Sequence, residues 1–168
     1  SHFDGKSFFV FDEIVMNNVI TQDVVDEFIH RYPLEDVKGI VQICGDASGK
    51  YRKTQSRYSD YAIIVNTLTE HGYRVNLNLR RFNPPIQHRI NAFNKQVFAD
   101  DGTRHIFVHP RCEKLIYNMK KLCFKAGTSI IDAPTPAQIE EDDQKLYLGH
   151  IFDAVSYMVE YFKPVVRE

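Results

Sequence analysis

A chain of 168 residues, 43% of them hydrophobic, is long enough for one domain with a sizeable core, and its formal net charge of −1 excludes a protein that coats nucleic acid by bulk charge. Three cysteines, Cys44, Cys112 and Cys123, are odd in number and lack Cys-x-x-Cys spacing, which argues against a disulfide framework or a zinc site and for a reducing compartment. No run approaches the roughly 20 apolar residues of a membrane span, there is no signal-peptide core, and Ser1-His2 has the look of a tag remnant.

In chain order, residues 7–15 are aromatic and β-branched and predict a strand. Thr21 is a good N-cap for a helix over 22–31, which has Val24, Val25, Phe28 and Ile29 on one face and Pro33 beyond its end. The apolar run 39–45 predicts a buried strand, so strand, helix and strand suggest a parallel crossover. A polar, basic loop over 47–57 follows. Ser59 caps a helix over 60–71 that Gly72 closes. Residues 73–82 alternate apolar and polar as a half-exposed strand, which Asn83-Pro84-Pro85 breaks before a helix over 86–98. After an Asp101-Gly102 turn come a strand over 104–108 and a helix over 112–124 with Leu115, Ile116, Met119, Leu122 and Cys123 inward. Cys44 and Cys123, in apolar contexts, are expected to be small buried hydrophobes. Two prolines and the acids Glu140 to Asp143 predict a mobile loop over 126–145, ahead of a last helix over 146–162. One domain over 1–168, without internal repeats, is expected.

The residues with most to say are Asp46 and Asp153. Asp46 ends the buried strand, and His150 and Asp153 share a helix face with Leu146 and Tyr157 at three- and four-residue spacing. A carboxylate at a strand's carboxyl end, joined by a His/Asp pair on a late helix, is one way an α/β sheet assembles a divalent-metal site. Lys50, Arg52, Lys53 and Arg57 follow Asp46 closely, and Arg74, Arg80, Arg81, His88 and Arg89 follow the next strands, as phosphate contacts would require. The blander alternatives stay open. Asp46 can cap a strand-ending turn, Asp153 can face solvent with His150 hydrogen-bonded in the core, and the cations can be ordinary solvated charge. No Gly-x-x-x-x-Gly-Lys-Ser/Thr loop, Gly-x-Gly-x-x-Gly run or Gly-x-Ser-x-Gly elbow is present, which sets aside ATP hydrolysis, dinucleotide binding and serine hydrolase chemistry.

Six segments in order carry a family resemblance: Asp12-Glu13-Ile14, Gly45-Asp46-Ala47-Ser48-Gly49-Lys50, Ser59-Asp60-Tyr61, the run from Asn83-Pro84-Pro85 through His88-Arg89 to Ala92-Phe93-Asn94, His109-Pro110-Arg111-Cys112-Glu113-Lys114-Leu115-Ile116, and His150-x-x-Asp153-Ala154-x-x-Tyr157. Together they span residues 8–162, and the chain resembles the C-terminal nuclease domain of large terminase subunits, the motors that package DNA into tailed-phage heads. The resemblance implies an α/β, ribonuclease H-like fold with a mixed central sheet flanked by helices. It also implies cleavage of double-stranded DNA with two Mg²⁺ or Mn²⁺ ions. It assigns the second metal-binding acid to Asp46 and the last to Asp153, with His150 beside it and Lys50, Arg52, Lys53 and Arg57 on DNA. The family's first acid sits on a strand ahead of residues 7–15 that is absent from this sequence, and Asp12 and Glu13 match the end of the second strand as possible additions. Implied partners are an upstream ATPase domain, the portal and the small terminase subunit. The isolated domain is expected to be a monomer, in the cytoplasm of the infected bacterial host and without a membrane. The alternatives are a catalytically incomplete DNA-binding or docking fragment, and another ribonuclease H-like nuclease such as a resolvase or transposase core.

Overall fold

A computed structural model describes residues 1–51, 58–128, 130–132 and 134–165. In chain order its elements are β1 (His2–Phe3), β2 (Phe8–Val10), α1 (Thr21–Arg31), β3 (Val41–Cys44), α2 (Asp60–Glu70), β4 (Val75–Asn78), α3 (Ile86–Val97), β5 (Ile106–Val108), α4 (Glu113–Lys121), α5 (Pro136–Glu141) and α6 (His150–Phe162), with short 3-10 turns at Leu34–Asp36, Ala47–Lys50 and Asp143–Tyr147. The class is α/β, with a small mixed sheet flanked by helices. Contacts divide the chain into two compact units, one of Ser1–Glu13 with Pro84–Glu168 and one of Ile14–Asn83.

In the first unit β2 pairs antiparallel with β1 and parallel with β5. Side chains alternate across the sheet, so Phe8 enters a cluster with Ala92, Phe93, Phe152 and Val159, and Val10 enters one with Cys112 and Leu115. Those partners bring α3, α4 and α6 onto one face, and burying this many aromatic and aliphatic side chains is what holds the unit together. In the second unit β3 and β4 pair in parallel, Val41 opposite Val75 and Ile43 opposite Leu77. Val25, Leu68 and Tyr73 form its core, and the Tyr73 hydroxyl donates to the Tyr32 carbonyl at 2.6 Å.

Several local signals match what forms. Ser59 Oγ accepts the Ala62 N–H at the start of α2, and Gly72, at φ +85°, follows its end in the left-handed conformation that favours glycine. Other expectations need correction. The first long strand stops at Val10, and β1 joins it. Thr21 is the first residue of α1 rather than its cap; its hydroxyl donates to Asp60, and Asp23 takes the Ile20 N–H instead. The parallel crossover runs β3–α2–β4, because Val41 and Ile43 find their apolar partners on β4 while β2 finds its parallel partner in β5.

The expected loop over 126–145 contains α5, started by Thr135, whose hydroxyl accepts the Gln138 N–H while Gln138 reaches back to the Thr135 N–H. The last helix begins at His150 and not at 146, because Gly149 takes φ +95° and gives its N–H to Asn118. Since α4 closes at Lys121, Cys123 is exposed and Met119 is 38% exposed, while Cys112 is the cysteine fully buried.

Candidate functional site

Asp46 follows β3 and turns the chain. Its Oδ1 accepts the Ser48 N–H at 2.6 Å and the Asn83 side-chain amide at 2.7 Å, and Asn83 Oδ1 in turn accepts the Ala47 N–H at 2.7 Å. The carboxylate therefore caps the Ala47–Lys50 turn, as an Asx residue does. From α2, the Tyr61 hydroxyl donates to the Asp46 carbonyl at 2.9 Å, and its ring lies over Gly45 and Gly49. A Cβ on Gly45 would meet the Tyr61 hydroxyl, and one on Gly49 would stand 2.7 Å from the ring. Both glycines are thus demanded by close approach.

Lys50 is exposed, with Nζ on the Arg80 carbonyl at 2.7 Å. Arg52, Lys53 and Arg57 lie outside the described residues, as does most of the basic loop. Its start, Ala47–Lys50, forms a 3-10 turn.

Asp153 sits in the first turn of α6. Its Oδ1 accepts from Arg89 Nη1 at 2.6 Å, and Arg89 is 6% exposed. The same Nη1 donates to Ser156 Oγ at 2.9 Å, Ser156 Oγ donates to the Asp153 carbonyl, and the guanidinium lies 4.1 Å from the centre of the Tyr157 ring. A charge on an apolar helix needs a partner. Here the partner is an arginine from α3. His150, one turn away, is exposed at the first position of α6, so the alternative of a core histidine does not hold.

Glu13 has a role that local sequence rules do not reveal. Its two carboxylate oxygens accept the Lys114 and Leu115 N–H groups, each at 2.9 Å, at the start of α4. It satisfies two orphan donors and places negative charge at the positive end of the helix. Burial pushes the nearby Cys112 thiol up, and the Glu13 and Asp12 carboxylates push in the same direction. Burial likewise pushes Cys44 up to about 11, against a smaller opposing pull from Asn78. Neither thiol is poised as a nucleophile.

Carboxylate oxygens are the donor type that Mg²⁺ and Mn²⁺ prefer. The number is the obstacle. Among the described residues no three His, Cys, Asp or Glu side chains gather as a metal site, and Oδ1 of Asp46 and Oδ1 of Asp153 already accept from protein donors. As arranged, the described residues do not by themselves fit such an ion.

No family model matches the chain, and neither curated proteins nor solved structures give a match. Among the described residues no helix is long and apolar enough to cross a membrane.

Proposed function

We propose that the chain is a nuclease domain of the large-terminase kind, ribonuclease H-like, which hydrolyses phosphodiester bonds in double-stranded DNA during viral genome packaging. The observation that carries the proposal is the ordered series of segments over residues 8–162, closing on His150-x-x-Asp153-Ala154-x-x-Tyr157. The α/β class with a mixed sheet is compatible with it, as is the place of Asp46 at the carboxyl end of a parallel strand. In this proposal Mg²⁺ or Mn²⁺ is the cofactor, with Asp46 and Asp153 as ligands and His150 beside Asp153. Lys50, Arg52, Lys53 and Arg57 hold DNA phosphates, and Asp12 and Glu13 are further candidates. The partners are an upstream ATPase domain, the portal and the small subunit, and the setting is the cytoplasm of the infected host.

One observation favours a second function, a catalytically incomplete DNA-binding or docking domain: Arg89 already neutralises Asp153. Nicking of supercoiled plasmid separates the two. The nuclease is expected to nick with Mg²⁺ or Mn²⁺, to stop in EDTA, and to lose activity in Asp46→Asn and Asp153→Asn while remaining folded. A protein that retains plasmid in a gel shift but never nicks it, at any concentration of either ion, is the docking domain.

A further inference from the structure

We propose that the outer face of the β1–β2–β5 sheet is a stacking platform for single-stranded nucleic acid, with Phe9 and Phe107 under the bases and Arg111 on a phosphate. Such a ligand lies beyond the duplex of the preceding proposal, because bases paired and stacked in a duplex offer no free face to a ring.

Alternation along the strands decides which side chains this face carries. Phe8, Val10, Ile106 and Val108 turn toward the apolar clusters, so Phe9 and Phe107 turn away from them. The two are direct cross-strand partners whose rings stack with centroids 5.3 Å apart and planes 14° from parallel, and they remain 37% and 47% exposed. Sheet stability alone is served as well by β-branched residues at such positions, whereas near-parallel exposed rings are what bases of any identity stack on. The His2 ring continues the row 6.3 Å from Phe9, in a segment that resembles a tag remnant, so the two phenylalanines carry the site.

Charge is uneven along the platform. At the amino ends of β2 and β5, the cations Lys6 and Arg104 share their turns with the acids Asp4 and Asp101, which accept N–H groups of those turns. At the carboxyl ends, His109 continues the alternation from Phe107, its N–H on the Val10 carbonyl at 2.8 Å, and Arg111 Nε lies 3.4 Å from His109 Nδ1. Both of these side chains are exposed. The acids closest in the chain are turned to other work, since Glu13 accepts the Lys114 and Leu115 N–H groups and the Asp12 charge acts on buried Cys112. A guanidinium beside the rings is therefore placed to meet the phosphate of a nucleotide whose base lies on Phe107.

The test uses the whole chain in EDTA, so that no metal takes part, and the fluorescence anisotropy of labelled oligothymidylate of about 12 nucleotides, within the usual range of single-strand sites. The single strand is expected to bind more tightly than a duplex of the same length. Phe107→Leu keeps an apolar side chain but removes the ring, and should weaken binding about tenfold, as should Phe9→Leu. Phe107→Tyr should retain it, and Phe98→Leu, at an exposed ring elsewhere, should change nothing. Arg111→Gln should flatten the slope of log affinity against log salt by about 0.7, as the loss of one phosphate contact requires. A strand carrying 5-iodouracil should crosslink to Phe9 or Phe107 on irradiation.

No single-strand binding, equal binding of single strand and duplex, or an affinity unchanged in both Phe9→Leu and Phe107→Leu overturns the proposal. So does a dimer that Phe107→Leu dissolves in sedimentation while oligothymidylate stays unbound, since the face then belongs to a second copy of the chain. Thermal melts separate lost stacking from lost fold. Should both leucine variants unfold, the crosslink on the parent protein decides, and one that maps away from Phe9 and Phe107 overturns the proposal. Single-strand binding that depends on Phe107, without any plasmid nicking, leaves the platform standing and removes the nuclease. Nicking without such binding does the reverse.

Discussion

The carboxylate after β3 and the carboxylate on α6 are both engaged, the first with the Ser48 and Asn83 N–H groups of its turn and the second with a buried cation. In its turn Asp46 serves as an acceptor, its Oδ1 taking the Ser48 and Asn83 N–H groups. Asp153 needs its charge, because Arg89 is buried and has only its immediate neighbours to compensate it. Two acids that look equivalent in a catalytic scheme are therefore unequal in the resting fold. Stability measurements on each can separate the structural role from the chemical one.

The largest effect is expected at Asp153→Ala, which leaves the buried Arg89 guanidinium without its carboxylate, facing the Ser156 hydroxyl and the Tyr157 ring. Losing one partner of a mostly buried pair should cost about 2–3 kcal/mol, at the low end for such pairs because Asp153 is partly exposed. Urea unfolding at neutral pH reads it directly. A loss below about 1 kcal/mol would mean that the guanidinium is rehydrated easily, and the contrast with Asp46 would collapse.

Next comes Gly49→Ala in the other unit, where the added Cβ would stand 2.7 Å from the Tyr61 ring. The ring has to move, which should cost about 1–2 kcal/mol by overpacking. In a Tyr61→Ala background the same substitution should cost clearly less, since the clash is gone. Additive losses in that double-mutant cycle would show that Tyr61 does not shape the turn.

These two sites also show what sequence can and cannot say. The bounds of α2 were legible because a serine cap and a closing glycine are local signals. The strand pairings were not, since pairing is decided between segments far apart: the order of elements suggests a β2-to-β3 crossover, and the chain forms a β3-to-β4 one. For Asp46 the turn alternative was readable from Gly-Asp-Ala-Ser-Gly itself, but Asn83 and Tyr61, which complete the turn, lie 37 and 15 positions away.

The partner of Asp153 had left a trace. Arg89 stands at helical spacing from Ile86 and Phe93, on the buried stripe of α3, so a cation had to meet an acid from another element. The acids of α6 are Asp153 and Glu160, and it is the first of them that the buried cation meets. Glu13 left none, because its bonds to Lys114 and Leu115 join positions about a hundred residues apart. Thr135-Pro136-x-Gln138 is a complete helix-start signal, masked by the prolines and acids around it, which favour loops.

The smallest stability change is expected at Asp46→Asn, and it is the sharpest use of the contrast. Asparagine keeps an oxygen where Oδ1 now accepts the Ser48 and Asn83 N–H groups, and it caps turns about as well as aspartate, so the loss should be about 0.5 kcal/mol or less. Asp46→Ala, with no acceptor, should lose about 1 kcal/mol. The two substitutions therefore rank by acceptor and not by charge when unfolding is measured. Plasmid nicking should rank them differently, because a ligand role depends on the charge that both variants lack. An Asp46→Asn protein with parental stability and no nicking isolates chemistry at this position. If it keeps both stability and nicking, Asp46 is a turn residue and nothing more, and the phosphodiester chemistry belongs to other side chains.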